Sequence, residues 1–312
     1  MHFVNVKGIL SASNGMNIYR GCTHGCIYCD SRSKCYGFTH PFEDIEVKQN
    51  APALLEQRLR SKRKKCMIGT GAMCDPYMHC EEQLGMTRKC LELIEQYGFG
   101  VTVLTKSDRI LRDLELLRRI NEKTKAVVQM TLTTYDDNLC RIIEPKVCVT
   151  SERVRVLKIM REAGIPTVVW LMPILPFIND TEENIAGILN CCLEAGVKGI
   201  MNMGMGVTLR EGDREYFYQA LDRHFPGLKQ KYQRTYGNAY EIMSPNHERL
   251  TALFETACRE AGILHRVEDV FAYLNEFPEE REYRQLSLFD SINEQIPNIA
   301  QKKDTLCRMM YN

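Results

Sequence analysis

The chain alternates short apolar strands with helical segments through most of its first two hundred residues, and this alternation limits its fold more than any other feature. Six such units follow one another without a reversal of pattern. The predicted strands cover residues 16–20, 66–71, 100–104, 126–133, 167–174 and 198–205. The predicted helices between them cover residues 51–62, 86–97, 109–121, 151–163 and 181–195. Strands that alternate with helices form a parallel sheet, because each helix returns the chain to the same end of the sheet.

Six consecutive βα units predict an α/β fold, namely a partial (β/α)6 barrel with one open side. A doubly wound open sheet is the alternative that periodicity leaves open. Ser151 and Thr181 are predicted to cap two of the helices. Met201, Met203 and Met205 alternate along the last strand and are expected to pack together beneath the helices.

The sequence changes character at about residue 210, where aromatic-rich and helical stretches begin. Residues 246–261 form the clearest predicted helix of this part. We therefore predict a barrel over residues 1–210 and a mainly helical C-terminal extension over residues 211–312. The extension is expected to cover the barrel.

A loop directly after the first predicted strand contains three cysteines, Cys22, Cys26 and Cys29, within eight residues. Such a loop can wrap one metal centre. Three thiolates satisfy only three irons of a cubane cluster, whereas zinc sites and structural clusters normally have four protein ligands. The fourth iron would stay open for a cofactor or a substrate. The alternatives are a thioredoxin-like redox pair formed by Cys26 and Cys29, or half of a zinc site.

The bulk properties exclude several classes of protein. The 14 cysteines show no regular pairing framework, which favours a reducing compartment over secretion. The sequence has no apolar run of the roughly 20 residues that a membrane span needs, and its first residues resemble no leader peptide. We therefore expect a cytoplasmic protein. A net charge of +1 excludes the global positive charge of many nucleic-acid binders, so any such contact must be local.

The cysteine loop resembles the signature of the radical S-adenosylmethionine (SAM) superfamily, and the wider sequence is similar to its spore photoproduct lyase-related branch. The likeness lies within about residues 14–206 and includes residues 17–22, 69–77, 104–107, 144–145, 173–176 and 179–180. It implies a partial barrel of the radical SAM type and a [4Fe-4S] cluster held by Cys22, Cys26 and Cys29. It also implies SAM as the cofactor and an external one-electron donor of the flavodoxin or ferredoxin type. In this family an electron from the cluster cleaves SAM and gives a 5′-deoxyadenosyl radical.

The resemblance further implies that SAM binds at the C-terminal ends of the strands. Gly69, Thr70 and Gly71 match the strand-end motif that meets the amino group of the cofactor, although an ordinary glycine turn is the alternative. Lys106 lies where the carboxylate of SAM is expected, with a surface lysine as the alternative. Thr131 and Thr133 alternate on the fourth predicted strand, where inward hydroxyls would suit carboxylate or ribose contacts; simple β-propensity is the alternative. The expected cofactor-binding residues are Tyr28, Gly69, Thr70, Gly71, Lys106 and Thr131.

Cys74 is the candidate catalytic residue. In the spore photoproduct lyases a cysteine near this position returns a hydrogen atom to the substrate radical. The flanking residues of Cys74 differ from that pattern, and a passive buried thiol is the alternative.

Two segments bear on the substrate. The basic run at residues 58–65 is expected to be a solvated helix end at the bottom of the barrel, opposite the chemistry. The pentapeptide Gln285, Leu286, Ser287, Leu288 and Phe289 resembles the segment by which bacterial repair and replication proteins dock to the sliding clamp. The alternative is that these residues pack back on the barrel. We therefore predict a radical SAM enzyme that acts on DNA, as in lesion repair or nucleotide modification. The alternatives are radical modification of a peptide, an RNA or a small molecule, or a metal-binding protein without turnover.

Overall fold

The computed structural model describes residues 1–278. Its strands are β1 (His2–Val4), β2 (Gly15–Met16), β3 (Tyr19–Arg20), β4 (Glu46–Lys48), β5 (Met67–Thr70), β6 (Gly100–Thr105), β7 (Ala126–Thr131), β8 (Thr167–Trp170), β9 (Gly199–Met201), β10 (Gly206–Thr208) and β11 (Glu241–Met243). Its helices are α1 (Ala51–Ser61), α2 (Glu81–Leu84), α3 (Met86–Gln96), α4 (Leu114–Lys123), α5 (Asp137–Ile143), α6 (Thr150–Glu162), α7 (Glu182–Ala195), α8 (Asp213–His224), α9 (Leu228–Tyr236), α10 (His247–Glu260) and α11 (Val267–Asn275).

Six strands form one sheet in the order β2-β5-β6-β7-β8-β9, and all of their pairings are parallel. Each strand therefore lies beside its neighbour along the chain. A doubly wound sheet would reverse its strand order at a switch point, and this sheet has no such reversal. The predicted partial barrel is confirmed, and the open-sheet alternative is excluded.

The two faces of the sheet follow from its register. Val103 pairs with Val128, and Met130 pairs with Val169; all four belong to the apolar core between the sheet and the helices. The alternate positions point to the barrel interior, where Val127, Val168 and Met201 pack together. Apolar side chains are buried on both faces, as expected for a parallel sheet covered by helices.

The first predicted strand, residues 16–20, is divided in the structure. Gly15 and Met16 pair with β5 in the main sheet, whereas Tyr19 and Arg20 pair antiparallel with β4 in a separate three-stranded sheet. Arg20 also forms an ion pair with Glu46 on β4, at 2.8 Å. The chain therefore leaves the barrel before the cysteine loop begins.

Several other sequence predictions need correction. Ser151 does not cap a helix, because α6 begins at Thr150 after Val149, and its hydroxyl hydrogen-bonds Asp137 instead. The predicted cap at Thr181 is confirmed, since its hydroxyl accepts a hydrogen bond from the Asn184 amide. The predicted helix over residues 109–121 begins as a 3-10 helix, Asp108–Asp113, and becomes α-helical only at Leu114.

The expected methionine row beneath the helices is also wrong. β9 ends at Met201, so the alternation does not continue through Met205. Met201 points into the barrel interior, while its neighbour Ile200 faces the helices. Met203 is 51% exposed. An irregular turn after the strand breaks the period-two pattern that the sequence suggests.

The helices after residue 210 pack on both ends of the barrel. Val270 and Leu274 of α11 pack in one apolar cluster with Val127 and Val168, which lie near the N-terminal ends of their strands. Aromatic side chains of α8 and α9, including Phe217 and Tyr232, pack in one cluster with the cysteine loop. Among residues 1–278, the structure contains no helix that is both long enough and apolar enough to cross a membrane. The division at residue 210 stays a prediction.

Candidate metal centre

Backbone constraints set the path of the cysteine loop. Gly21 has a φ of 88°, and a side chain at this position would overlap the carbonyl oxygen of Phe42. That same carbonyl accepts a hydrogen bond from the Cys22 amide, at 3.1 Å. Gly25 also has a positive φ, 71°, between the first two cysteines. Glycine is required at Gly21, because both the backbone conformation and the close approach exclude larger residues.

The three thiols are held close to the protein interior. Cys22 and Cys26 are buried, and Cys29 is partly buried. Burial raises the pKa of all three thiols, and it raises that of Cys26 to about 12. Low polarity disfavours a free thiolate, and a bound cation reverses this because it stabilises the negative sulfur.

The spacing of these sulfurs distinguishes between kinds of metal centre. Cys22, Cys26 and Cys29 do not all lie within 4.8 Å of one another in the described structure, so at least one pair is farther apart. Sulfur ligands about 2.3 Å from one zinc ion would be only about 3.8 Å apart. The spread is too wide for a single zinc ion and fits a polynuclear centre in which each thiol binds a different metal ion.

A buried ion pair lies next to the cysteine loop and is hydrogen-bonded to it. Arg153 and Glu144 are both completely buried, and the guanidinium lies 2.6 Å from the carboxylate. The hydroxyl of Tyr28 donates a hydrogen bond to the same carboxylate. Burial acts to raise the pKa of Glu144, but Arg153 and Lys106 outweigh it and hold that pKa below its usual value.

Arg153 also connects the loop to the barrel. Its guanidinium donates hydrogen bonds to the carbonyls of Thr131, at 3.0 Å, and Cys148, at 2.8 Å. Thr131 is the last residue of β7, so one side chain joins that strand end to the carboxylate that holds Tyr28. Sequence reasoning missed Arg153, because nothing in α6 marks it as different from the other arginines.

Lys106 and Thr131 meet at the C-terminal ends of β6 and β7. The Lys106 ammonium donates a hydrogen bond to the Thr131 hydroxyl, at 3.3 Å. The Lys106 amide donates to Asp75, at 2.7 Å, which fixes the backbone where the strand ends. Burial acts to lower the pKa of Lys106, but the nearby Cys26 sulfur and Glu144 carboxylate outweigh it and raise that pKa. The structure therefore places one cation beside both the cysteine loop and the barrel interior.

The strand-end residues Gly69, Thr70 and Gly71 lie on different faces. Gly69 is paired with Thr102 on the inward row, and Thr70 is paired with Val103 on the row that faces the helices. Gly71 has a φ of 101° and passes so close to Leu104 that a side chain would overlap its carbonyl oxygen. Only backbone atoms and the space left by missing side chains are therefore available to a ligand at Gly69 and Gly71.

We expect Gly71→Ala to lower the free energy of unfolding by roughly 2–3 kcal/mol, because it combines a left-handed backbone with an overlap against Leu104. Gly98→Ala is the matched control. Gly98 also has a positive φ, 65°, but nothing lies within 4 Å of the added carbon. This control should lose only about 1 kcal/mol. Urea denaturation of both variants measures the difference, and equal losses would contradict the close approach.

His24, between the first two cysteines, was missed by sequence reasoning. It is 2% exposed, and its Nδ1 lies 3.6 Å from a carboxylate oxygen of Asp75. Its Nε2 is buried without a hydrogen-bond partner among the described residues. Burial lowers the pKa of His24 to about 4, so the ring is neutral near pH 7. An unpaired buried nitrogen inside the loop fits a ligand or water site, since such atoms normally find a partner.

Cys74, the candidate hydrogen donor, is a buried thiol. Its thiol donates a hydrogen bond to the Tyr19 carbonyl, at 2.9 Å, and its side chain belongs to the apolar core around β3 and the helices. Within residues 1–278 it makes no hydrogen bond to the other candidate residues. To act as a hydrogen donor, the thiol would have to break its hydrogen bond to the Tyr19 carbonyl. That role stays a prediction.

Comparison with known families gives one domain-level match. A family model described as the Radical SAM superfamily matches residues 16–189. An uncharacterised protein of Mycobacterium tuberculosis is 28% identical over 234 residues, which cover 71% of this chain and 66% of that protein. Another, from Methanocaldococcus jannaschii, is 30% identical over 181 residues, which cover 57% of this chain and 67% of that protein. The chain thus matches about two thirds of the length of each relative.

Solved structures show the same fold at low sequence identity. A mutant of spore photoproduct lyase superposes with a TM-score of 0.59 at 13% identity, covering 84% of this chain and 79% of that one. A form of the same enzyme with bound AdoMet and dinucleoside spore photoproduct gives 0.57 at 14% identity, covering 80% and 74%. The methyltransferase TsrM from Kitasatospora setae, with cobalamin and a [4Fe-4S] cluster bound, gives 0.50 at 11% identity, covering 78% and 52%.

Proposed function

The chain belongs to the radical SAM superfamily, whose cofactors are a [4Fe-4S] cluster and SAM. We propose that it cleaves SAM reductively and that its substrate is DNA. The proposal of SAM cleavage rests mainly on one observation: the Lys106 ammonium lies close to the buried thiols of the cysteine loop, at one end of the barrel. Barrel enzymes build their active sites at this end, from the loops that follow the strands.

We assign the cluster to the thiolates of Cys22, Cys26 and Cys29. The donor set fits, because iron-sulfur clusters are held by cysteine thiolates and the spread of these sulfurs is too wide for one zinc ion. A loop with three ligands leaves one iron open for the amino and carboxylate groups of SAM. When bound, the cluster supplies the electron that cleaves SAM into methionine and a 5′-deoxyadenosyl radical.

The residues at the strand ends bind and orient the cofactor in this proposal. Lys106 provides a positive charge for the SAM carboxylate, and the Thr131 hydroxyl holds the Lys106 ammonium in place. The bare backbone at Gly69 and Gly71 leaves room for close approach by the SAM amino group. Tyr28 forms a buried wall of the loop. The aromatic cluster of α8 and α9 keeps water from this side of the loop, which protects a reactive radical.

We expect Lys106→Met to weaken SAM binding about 10- to 100-fold, because the cofactor carboxylate loses a charged hydrogen-bond partner. Equilibrium dialysis of cluster-loaded protein measures the dissociation constant without requiring turnover. Lys125→Met is the matched control, since Lys125 is also partly buried but lies before β7, where it donates to the carbonyls of Tyr273 and Glu276. Unchanged SAM affinity in the Lys106 variant would remove this residue from the site.

DNA is the proposed substrate, for example in lesion repair or nucleotide modification of the spore photoproduct lyase kind. Support comes from the shared fold, since spore photoproduct lyase has been solved in complex with dinucleoside spore photoproduct. The clamp-like pentapeptide at residues 285–289 lies outside the described residues and stays a prediction. If it binds the sliding clamp, tethering would supply the DNA affinity that a net charge of +1 does not.

The proposed function is tested by anaerobic reconstitution with iron and sulfide, followed by dithionite and SAM. We expect 5′-deoxyadenosine to form, with a higher yield when UV-irradiated DNA is present than without DNA. Chromatography with mass detection quantifies the product. Intact SAM with a fully loaded cluster would contradict the enzyme assignment, whereas cleavage that no DNA affects would contradict the DNA assignment alone.

A further inference from the structure

A groove runs along the outer side of the cysteine loop. Its lining includes Gly25 and Ile27 of the loop together with Tyr216 and Gln219 of α8. Arg141, near the end of α5, also lines it. The groove therefore touches the loop on both sides of Cys26, which is itself buried.

The groove is positively charged. Arg141, Lys146 and Arg223 line it and are exposed. None of these three side chains has a carboxylate within 4.0 Å in the described part of the chain, whereas most arginines on α3 and α4 are paired. Glu43 also lines the groove, but it already forms an ion pair with Arg32. Unpaired surface cations in one concave patch create a local positive potential even in a nearly neutral protein.

The groove does not open on the residues that we assign to SAM. Its lining contains neither Lys106 nor Thr131. In the proposed function a substrate would have to reach the barrel interior, because Lys106 and Thr131 would hold SAM there. An electron donor needs only to approach the cluster, so a surface that contacts the loop without entering the barrel suits a donor better than a substrate.

Resting on the proposed function, we infer that this basic groove is the docking surface for an acidic one-electron carrier protein of the flavodoxin or ferredoxin type. The carrier gives up one electron through the loop and is oxidised, and the cluster is reduced by that electron. Electron-transfer complexes are small and short-lived, so charge complementarity contributes much of their association rate. Arg141, Lys146 and Arg223 provide it here.

The test compares Arg141→Glu/Arg223→Glu with a control of equal charge change, Arg63→Glu/Lys64→Glu. The control residues are exposed and follow α1, in the basic run at the other end of the barrel. A purified acidic flavodoxin is the probe, and calorimetric titration gives its dissociation constant. We expect the groove variant to bind at least about tenfold more weakly, with a smaller salt dependence, and the control to stay within about twofold of wild type.

Two further measurements separate the possible failures. Dithionite is a small reductant that needs no docking surface, so SAM cleavage driven by dithionite should be equal in wild type and groove variant. Absence of dithionite-driven cleavage in wild type would reject the proposed function, while flavodoxin binding would still be measured independently. Unchanged flavodoxin affinity in the groove variant would overturn the inference. The inference would also be wrong if the groove variant lost affinity for a DNA duplex while its flavodoxin affinity stayed at the wild-type value.

Discussion

Replacing any one of Cys22, Cys26 and Cys29 with alanine should lower SAM cleavage by more than about 100-fold and prevent stable cluster assembly. Loss of an outer-shell partner alone often costs 10- to 100-fold in metal affinity, and these thiols are proposed to be direct ligands. An incomplete set of thiolates leaves a second iron without a protein ligand. Iron and sulfide content and the visible absorbance of the cluster measure the loss directly, so the result does not depend on activity.

Cys35→Ala is the matched control for these variants. Cys35 follows the same loop but is exposed, and its sulfur accepts a hydrogen bond from the Arg210 guanidinium, at 3.4 Å. This variant should keep its full iron content and its SAM cleavage. If an alanine at Cys22, Cys26 or Cys29 assembled a normal cluster, that cysteine would not be a ligand.

Arg153→Met should lower the free energy of unfolding by about 3–5 kcal/mol, because it leaves the Glu144 carboxylate buried without its cation. Both side chains are completely buried, so water cannot replace the lost interaction. The shift in the urea denaturation midpoint, at constant slope, measures the effect. We also expect less cluster per chain, since Glu144 holds Tyr28 in the cysteine loop.

Two comparisons make the Arg153 result specific. Arg155→Met changes an exposed arginine of the same helix and should alter stability by no more than about 0.5 kcal/mol. Arg153→Met/Glu144→Gln removes the buried charge as well as its partner, so it should recover part of the loss. A stable single variant, or a double variant less stable than the single one, would contradict the role of this ion pair.

The sequence predicted the barrel because its signal is local and repeated. Each strand and helix has its own hydrophobic pattern, and six units in succession produced the observed strand order. The errors occurred where contacts between distant residues decide the local structure. Tyr19 and Arg20 left the main sheet because β4, more than twenty residues later, offers a pairing partner.

In the candidate site, too, the residues close in sequence were predictable and the contacts between distant residues were not. The three cysteines are close in sequence, and their spacing alone identified the loop. By contrast, Glu144 meets Tyr28 across 116 residues, and no spacing rule connects them. Glu144 was noticed only as part of the family resemblance, without a role. Thr131 was named for its own hydroxyl, but the structure adds a second contribution, a carbonyl that accepts from Arg153.

The central claim is that Cys22, Cys26 and Cys29 hold a four-iron cluster whose remaining iron is open to SAM. Electron paramagnetic resonance of the anaerobic, dithionite-reduced protein tests it most directly, with spectra recorded before and after SAM is added. We expect a [4Fe-4S] signal that changes clearly on addition of SAM, because the cofactor becomes a ligand of one iron. A cluster signal that SAM leaves unaltered, or a protein that binds only zinc, would contradict the claim.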